Sequence, residues 1–277
     1  MKGYILRRKG LGATSTPILA EILGFKVINT NEDSPPTDAD IVIRWGTTNG
    51  SYSCKTINTK NAIETSSDKK HFRELIQKEG LCPRTWQTII DFSTDIYGNS
   101  FTPQKPVQSV LIRPAVHARS ESMFLCTSLY EANKAIQSIN GPYYISEFIQ
   151  KKREFRVMVV QGKVVWVIEK HPKSADEVSW GCVEQGKFDY VGWSEWPIEV
   201  VRNAVKSVNL SGLDFGAADV IVDSEGRAYT LEVNTAPWLS PYYAKKIGHA
   251  LKWMVEGKEV EQKEVTDWKS VIHPSAL

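Results

Sequence analysis

The chain has 277 residues, 42% of them hydrophobic and 24% charged, with a formal net charge of +2. This composition excludes disordered and fibrous classes, and the near balance of charge argues against a nucleic-acid binder. The length exceeds that of a usual single domain, so two or three lobes with ample core are expected.

No apolar run approaches the roughly 18 residues of a membrane span. The N-terminal "MKGYILRRKGLGATST" lacks the apolar segment of a secretory signal, so a soluble, cytoplasmic protein is expected. Cys54, Cys82, Cys126 and Cys182 are widely spaced without a CxxC pair, which reads as reduced structural thiols. Positive charge gathers in "LRRKG" and "QKKREFR"; such clusters read as solvated faces unless strand geometry turns them into a cleft.

In chain order, "GYILRRKGLGATSTPILAEILGFKVINT" reads as strand, Gly-rich turn, a helix from Ser15, then strand, and "ADIVIRWG" as a further strand. This is a small βαβ-type lobe over residues 1–60. Pro17 near the helix start and Gly24 past its end are the expected punctuation, while "GLGATS" is only a fragment of a dinucleotide fingerprint. In "DKKHFRELIQKEG", Phe72, Leu75, Ile76 and Glu79 recur at helical spacing between a Ser67 or Asp68 cap and a Gly80 stop. Strands follow at "VLIRPAV" and "SMFLCTS", then a helix with a Ser128–Glu131 capping box. This α+β middle lobe is placed at 61–145.

The third lobe, 146–277, opens with strand-like runs. "YYISEFI", "EFRVMVVQ" and "KVVWVIEK" read as one antiparallel sheet, the last two joined by a tight turn at Gln161–Gly162. A polar loop, "HPKSADEVSWGCVEQGKFD", has the length of a functional loop. Two amphipathic helices are expected, one with Val201, Ala204, Val205 and Val208 inward, the other with Tyr243, Ile247, Ala250, Leu251 and Met254.

Between them, "AADVIVD" and "RAYTLEVNT" alternate around "SEG" and form a hairpin. Period two puts Tyr229, Leu231 and Val233 on the core face and Thr230, Glu232 and Asn234 on the other. A Glu225–Gly226 turn sets Asp219 opposite Glu232; a Ser224–Glu225 turn shifts the pairing by two and keeps both on one face. Like charges so close destabilise a sheet unless something positive lies between them. Two carboxylates and an amide make an all-oxygen set that suits Mg²⁺ with phosphate oxygens, the plainer reading being a solvent-facing acidic strand pair.

"LDFGAADVI" followed by "AYTLEVNTAP" resembles the C-terminal signature of the ATP-grasp superfamily, in its carboxylate–amine ligase branch of glutamate-ligase and glutathione-synthetase-like proteins. The resemblance covers roughly residues 61 to 240 and implies a fold of mixed α/β and α+β lobes clasping ATP behind a small N-terminal pre-ATP-grasp lobe. It implies metal ligation by Asp219, Glu232 and Asn234, with two Mg²⁺ ions and Mn²⁺ as an alternative. By the same resemblance Lys69 and Arg113 contact phosphate or adenine, and the backbone around Glu147, Phe148 and Ile149 contacts adenine. Glu154 holds the ribose, and Arg156 lies near the transferred phosphate. Lys170, with Lys173, opens the loop that holds acceptor or γ-phosphate groups.

Two departures from that pattern matter. Arg113 stands where the family has Lys, replacing a point donor by a planar fork. "VHARSES" lacks the glycines of a phosphate loop; Arg119, Ser120 and Ser122 would substitute side-chain donors, or the segment is an ordinary hairpin turn. His117 and His171 read as structural, and "RRKGLGATS" either holds an anionic substrate end or is a plain connection.

The implied reaction is ADP-forming: a carboxylate is phosphorylated by ATP and the acylphosphate is captured by an amine. The acceptor would be an amino acid, a peptide or a protein terminus. An ATP-grasp small-molecule kinase and a non-catalytic ATP-binding module are the alternatives.

Overall fold

The computed structural model describes residues 1–33, 36–98, 107–115, 123–172 and 187–276. The first lobe is a parallel sheet of β1 (Gly3–Arg7), β2 (Lys26–Asn29), β3 (Ile41–Trp45) and β4 (Lys55–Ile57) in the order β2-β1-β3-β4. Helix α1 (Ser15–Leu23) crosses between β1 and β2 and ends at Gly24, whose φ of 68° is the left-handed turn that favours glycine. Arg44, buried on β3, donates to the carbonyls of Thr47, Asn49 and Gly50 and so shapes the loop beyond the strand.

Helices α2 (Lys60–Ser67) and α3 (Lys69–Gln77) come next, meeting at Asp68, whose carboxylate accepts from the N–H groups of Lys70 and His71. β5 (Thr85–Trp86) and α4 (Ile89–Tyr97) lead to β6 (Val110–Pro114), β7 (Phe124–Cys126), α5 (Leu129–Ser138) and β8 (Tyr143–Glu147). The sheet of this region is antiparallel, ordered β5-β8-β6-β7. The Ser128 hydroxyl caps α5 by accepting from the Glu131 N–H at 3.2 Å, while the Glu131 carboxylate reaches back to the Thr127 N–H at 2.7 Å.

The largest sheet holds β9 (Arg153–Val160), β10 (Lys163–His171), β11 (Lys187–Val191), β12 (Phe215–Val222) and β13 (Ala228–Asn234), all antiparallel, in the order β11-β10-β9-β12-β13. Tyr143–Glu147 therefore does not join the following two runs, as the sequence reading had it; it pairs with β5 and β6, and the chain changes sheets after Glu147. Gln161 and Gly162 form the expected turn, both with positive φ. "FRVMVV" is an unbroken apolar run because both faces of β9 are covered. Phe155, Val157 and Val159 pack on α6 (Ile198–Leu210) together with Phe72 and Ile76 of α3. Met158 and Val160 pack toward the first lobe and α7 (Pro241–Val255). Asn58, left-handed at the end of β4, ties the lobes: its side chain accepts from the Asp214 and Phe215 N–H groups and donates to the Phe215 carbonyl.

The hairpin of β12 and β13 corrects the face assignment. Asp219 pairs with Glu232, but Val220 pairs with Thr230, so a bulge falls at Leu231. The extra residue reverses the alternation toward the turn. Thr230 and Val233 lie on the α6 side, Thr230 accepting from the Ser207 hydroxyl at 2.9 Å, whereas Leu231 lines a cavity on the opposite face. Tyr229, also expected in the core, reaches Asp223 with its hydroxyl at 3.2 Å instead. No helix among the described residues is long and apolar enough to cross a membrane.

After α7 the chain returns to β10, where Ile272 bridges Val164 and buries His273. His273 Nδ1 faces the Ser275 N–H at 3.1 Å and its hydroxyl at 2.7 Å, and Nε2 faces Gln161 Oε1 at 3.4 Å. Burial pushes the imidazole from 6.5 down to about 4. The unfolded chain thus takes up a proton that the native state refuses, so stability falls as pH drops from 6.5 toward 4. Urea unfolding at several pH values should show His273→Gln losing up to ~3 kcal/mol of this acid sensitivity relative to wild type, at ~1.4 kcal/mol per unit.

Candidate active site

The acids of the hairpin sit in a row of charges that crosses the large sheet. On β9, Arg156 pairs in register with Asp219 of β12, and Asp219 pairs with Glu232 of β13. Arg156 Nε and Nη2 donate to the two carboxylate oxygens of Asp219, each at 2.8 Å. This bidentate fork fixes both planes. Lys170 of β10 lies 2.7 Å from Glu154 Oε1 and 3.2 Å from Asp219 Oδ2, and Lys151 also pairs with Glu154. Lys69, the first residue of α3, meets Glu232 Oε2 at 2.5 Å. Asn234 Nδ2 bridges Glu232 Oε1 at 3.3 Å and Asp219 Oδ2 at 3.4 Å.

Such an array survives burial only because the signs alternate. Burial alone would raise the Asp219 carboxyl, but Arg156 and Lys170 outweigh it and hold the group below the usual carboxylate range. Burial likewise opposes the charge on Glu232, and Lys69 overrides it despite repulsion from Asp219, so this carboxyl is also lowered. Burial acts to lower Arg156, and the charge of Asp219 more than reverses that. At Lys151 the balance goes the other way: burial outweighs Glu154 and lowers the ammonium.

Beside the row is a narrow cavity of about 100 Å³, walled by Leu111 and Arg113 of β6, Tyr144 of β8, Glu147, Phe148 and Ile149, and Ile221 and Leu231 of the hairpin. Glu154 and Lys151 reach both the cavity and the charge row. The Glu147 carboxylate is held by Arg84, with Nε to Oε2 at 2.9 Å and Nη2 to Oε1 at 3.1 Å. The N–H groups of Glu147 and Phe148 are spent on the carbonyls of Arg84 and Ser109.

The sequence matches no family model and no curated protein. Solved structures do match. The chain is similar to a RiPP-associated ATP-grasp ligase of Chryseobacterium gregarium, solved with ADP and a leader and core peptide, at a TM-score of 0.66 and 13% identity over 96% of this chain and 100% of that one. It is similar to the ATP-grasp ligase PsnB, solved with a phosphomimetic variant of a minimal precursor, Mg and ADP, at 0.64 and 14% over 92% and 98%. The D-alanine–D-alanine ligase of Bacillus anthracis with ATP aligns at 0.63 and 14% over 93% and 97%. The chain has the ATP-grasp fold.

Within the ATP-grasp fold the residues present fit the groups the resemblance implies. Asp219, Glu232 and Asn234 touch one another and offer hard oxygen donors, as Mg²⁺ requires. Among the described residues no three His, Cys, Asp or Glu side chains gather in metal-binding geometry, and a metal held here would draw on the amide oxygen of Asn234 beside the two carboxylates. Asp219, Glu232 and Glu154 face the four cations Lys69, Lys151, Arg156 and Lys170, leaving an excess of positive charge for an anionic nucleotide–magnesium complex.

The expected residues thus fall into two groups. Lys69, Glu154, Arg156, Lys170, Asp219, Glu232 and Asn234 make the charge row; Arg113, Glu147, Phe148 and Ile149 line the cavity. His117, Arg119, Ser120, Ser122 and Lys173 lie outside the described residues. His171 is on the rim, its Nε2 3.0 Å from Asp189, in keeping with a structural role. In the N-terminal basic turn, Arg7 is occupied with Gly12, Thr16 and Asn29, and Lys9 pairs with Glu32.

Sequence reasoning missed Lys151, Arg84 and Arg73. Lys151 was hidden in "QKKREFR", where Lys152 and Arg153 are exposed but Lys151 and Arg156 turn inward. Arg73 was signalled only by its spacing of one helical turn from Lys69.

Removing one member of a buried pair strands the other. Asp219→Ala should cost ~3–5 kcal/mol in equilibrium unfolding. Asp219→Leu combined with Arg156→Met should cost less than Asp219→Ala, because no uncompensated guanidinium remains.

Proposed function

We propose that this chain is an ATP-dependent ligase that joins a carboxylate to an amine through an acylphosphate and releases ADP and phosphate. The observation that carries the reading is the register-paired Asp219 and Glu232 with Asn234, set among Lys69, Arg156 and Lys170 beside a cavity of about 100 Å³. The fold is shared with ligases solved with ADP, Mg and peptide substrates, which supports the same chemistry here.

In this reading Asp219, Glu232 and Asn234 hold Mg²⁺, which neutralises charge on the transferred phosphoryl group. Arg156 and Lys170 are the catalytic cations. Freed from the carboxylates that hold them now, they stabilise the oxygens on which negative charge builds. Preorganised charge is the main requirement, because the substrate carboxylate itself is the nucleophile toward phosphorus and the amine is the nucleophile toward the acyl carbon. Lys69 and Arg113 contact the nucleotide's phosphates, Glu154 the ribose, and the 147–149 backbone the base.

A wide cleft of about 640 Å³ adjoins the start of α3 and suits the second substrate. It is lined by Arg8, Thr48, Asn49 and Asn61 and by Glu64, Asp68 and His71. Groups of both signs fit an acceptor that carries both an ammonium and a carboxylate, such as an amino acid or a peptide end.

Incubation with ATP, Mg²⁺, a panel of amino acids and peptides, and hydroxylamine should give ADP with a hydroxamate. ADP without hydroxamate would favour a kinase. Glu232→Gln should keep its circular dichroism spectrum and lose about 100-fold or more in ADP formation, the loss expected when a charge-stabilising group at the reacting centre is removed. Undiminished turnover in that variant would remove the metal assignment.

A further inference from the structure

Arg73 is a buried cation in the wall of the cavity that the proposed chemistry leaves unused. It projects from α3 one turn after Lys69, is 4% exposed, and lies in the wall of the cavity between Tyr144 and Leu231. Its Nε donates to the Leu231 carbonyl at 2.9 Å, and its guanidinium carbon is 6.0 Å from the centre of the Tyr144 ring. These contacts fix the plane of the fork. Nη1 is buried and has no hydrogen-bond partner among the described residues. Leaving a guanidinium N–H buried and unmet costs stability, so its retention at a ligand cavity calls for an acceptor on the ligand.

We propose that Arg73 is a specificity-determining residue that donates from Nη1 to an endocyclic nitrogen of the purine base. The inference rests on the nucleotide reading of this cavity. A guanidinium only donates, so it pairs with N3 or N7, ring nitrogens that purines offer and that their deaza analogues replace by C–H. The apolar faces of Ile221 and Leu231 and the Ile149 N–H supply the remaining contacts of a planar base. The Leu231 carbonyl that anchors Arg73 belongs to the bulge residue, so the bulge that turns Leu231 into the cavity also sets the direction of this donor.

The test is calorimetric titration of the full chain with ATP, 7-deaza-ATP and 3-deaza-ATP in the presence of Mg²⁺. One of the two analogues should bind wild type about 10- to 100-fold more weakly than ATP, the range for a hydrogen bond to a charged group. In Arg73→Met that discrimination should disappear, ATP falling to the affinity of the analogue, and Arg73→Lys should recover part of it. Equal binding of all three nucleotides to wild type would overturn the proposal, and so would discrimination that persists in Arg73→Met. Equal binding by wild type overturns the proposal without any variant, and if Arg73→Met fails to fold, discrimination left undiminished in Arg73→Lys overturns it as well. Absence of binding by any of the three nucleotides would overturn the nucleotide reading as well, whereas equal binding leaves that reading standing.

Discussion

The pairing of Arg156 with Asp219 is the constraint on which the rest of the site depends. Two adjacent antiparallel strands put a guanidinium and a carboxylate opposite each other, and both of the fork's donors used here are spent on one acid. The next strand outward then places a second acid, Glu232, opposite the first. A third sheet position could not accept that acid without another cation. Lys69 supplies it from outside the sheet, at the first turn of α3. The site therefore unites β9, β12, β13 and α3 through charge, and the core beneath, where Phe72 and Ile76 of α3 meet Phe155 and Val157 of β9, holds that union by burial.

This arrangement explains how a buried, highly charged cluster exists in a folded chain. Each acid already has a cation, and the desolvation that opposes charge is offset within the protein. In the proposed reading, Asp219 and Glu232 would exchange their ammonium and guanidinium partners for a metal, and Lys69, Arg156 and Lys170 would turn to phosphate oxygens. Such an exchange preserves the count of ionic contacts, so little charge needs to be newly desolvated. The cavity beside the row joins apolar side chains such as Leu111, Ile221 and Leu231 to the cations Arg73, Arg113 and Lys151 and the acids Glu147 and Glu154.

Much of this was legible in the sequence because local periodicity carries it. The α6 and α7 stripes and the Gln161–Gly162 turn follow from period and turn chemistry, whereas the pairing of Asp219 with Glu232, one of two registers the sequence left open, is reached only through the bulge at Leu231. The metal signature and the order of the upstream motifs supplied the fold, which the solved structures bear out at identities of only 13–14%. The illegible parts are those decided by distant partners. Tyr143–Glu147 has the same alternation as the strands after it, and nothing local says that it pairs with β5 and β6 in another sheet. Lys151 and Lys152 are identical in type, yet only the first faces Glu154. The fate of a basic residue in such a run depends on which side of the strand is covered.

The bulge at Leu231 shows why the one wrong face assignment was also the most informative. Strict alternation would have buried Tyr229 and Leu231 against α6 and aimed Thr230 at the cleft. The inserted residue lets Thr230 meet Ser207 within the core while Leu231 and Glu232 both serve the site, one on the cavity and the other on the charge row. It also opens the outer edge of β13, where the Thr230 N–H donates to the Leu81 carbonyl and the Leu231 carbonyl accepts from Arg73. An edge strand with free backbone groups invites pairing with another chain, and here α3 and the segment after it close that edge. Lys69 and Arg73, one helical turn apart, thereby hold Glu232 and Leu231, neighbours on one strand. The same irregularity that caps the sheet thus orients both the charge row, through Glu232, and the wall of the cavity, through Leu231.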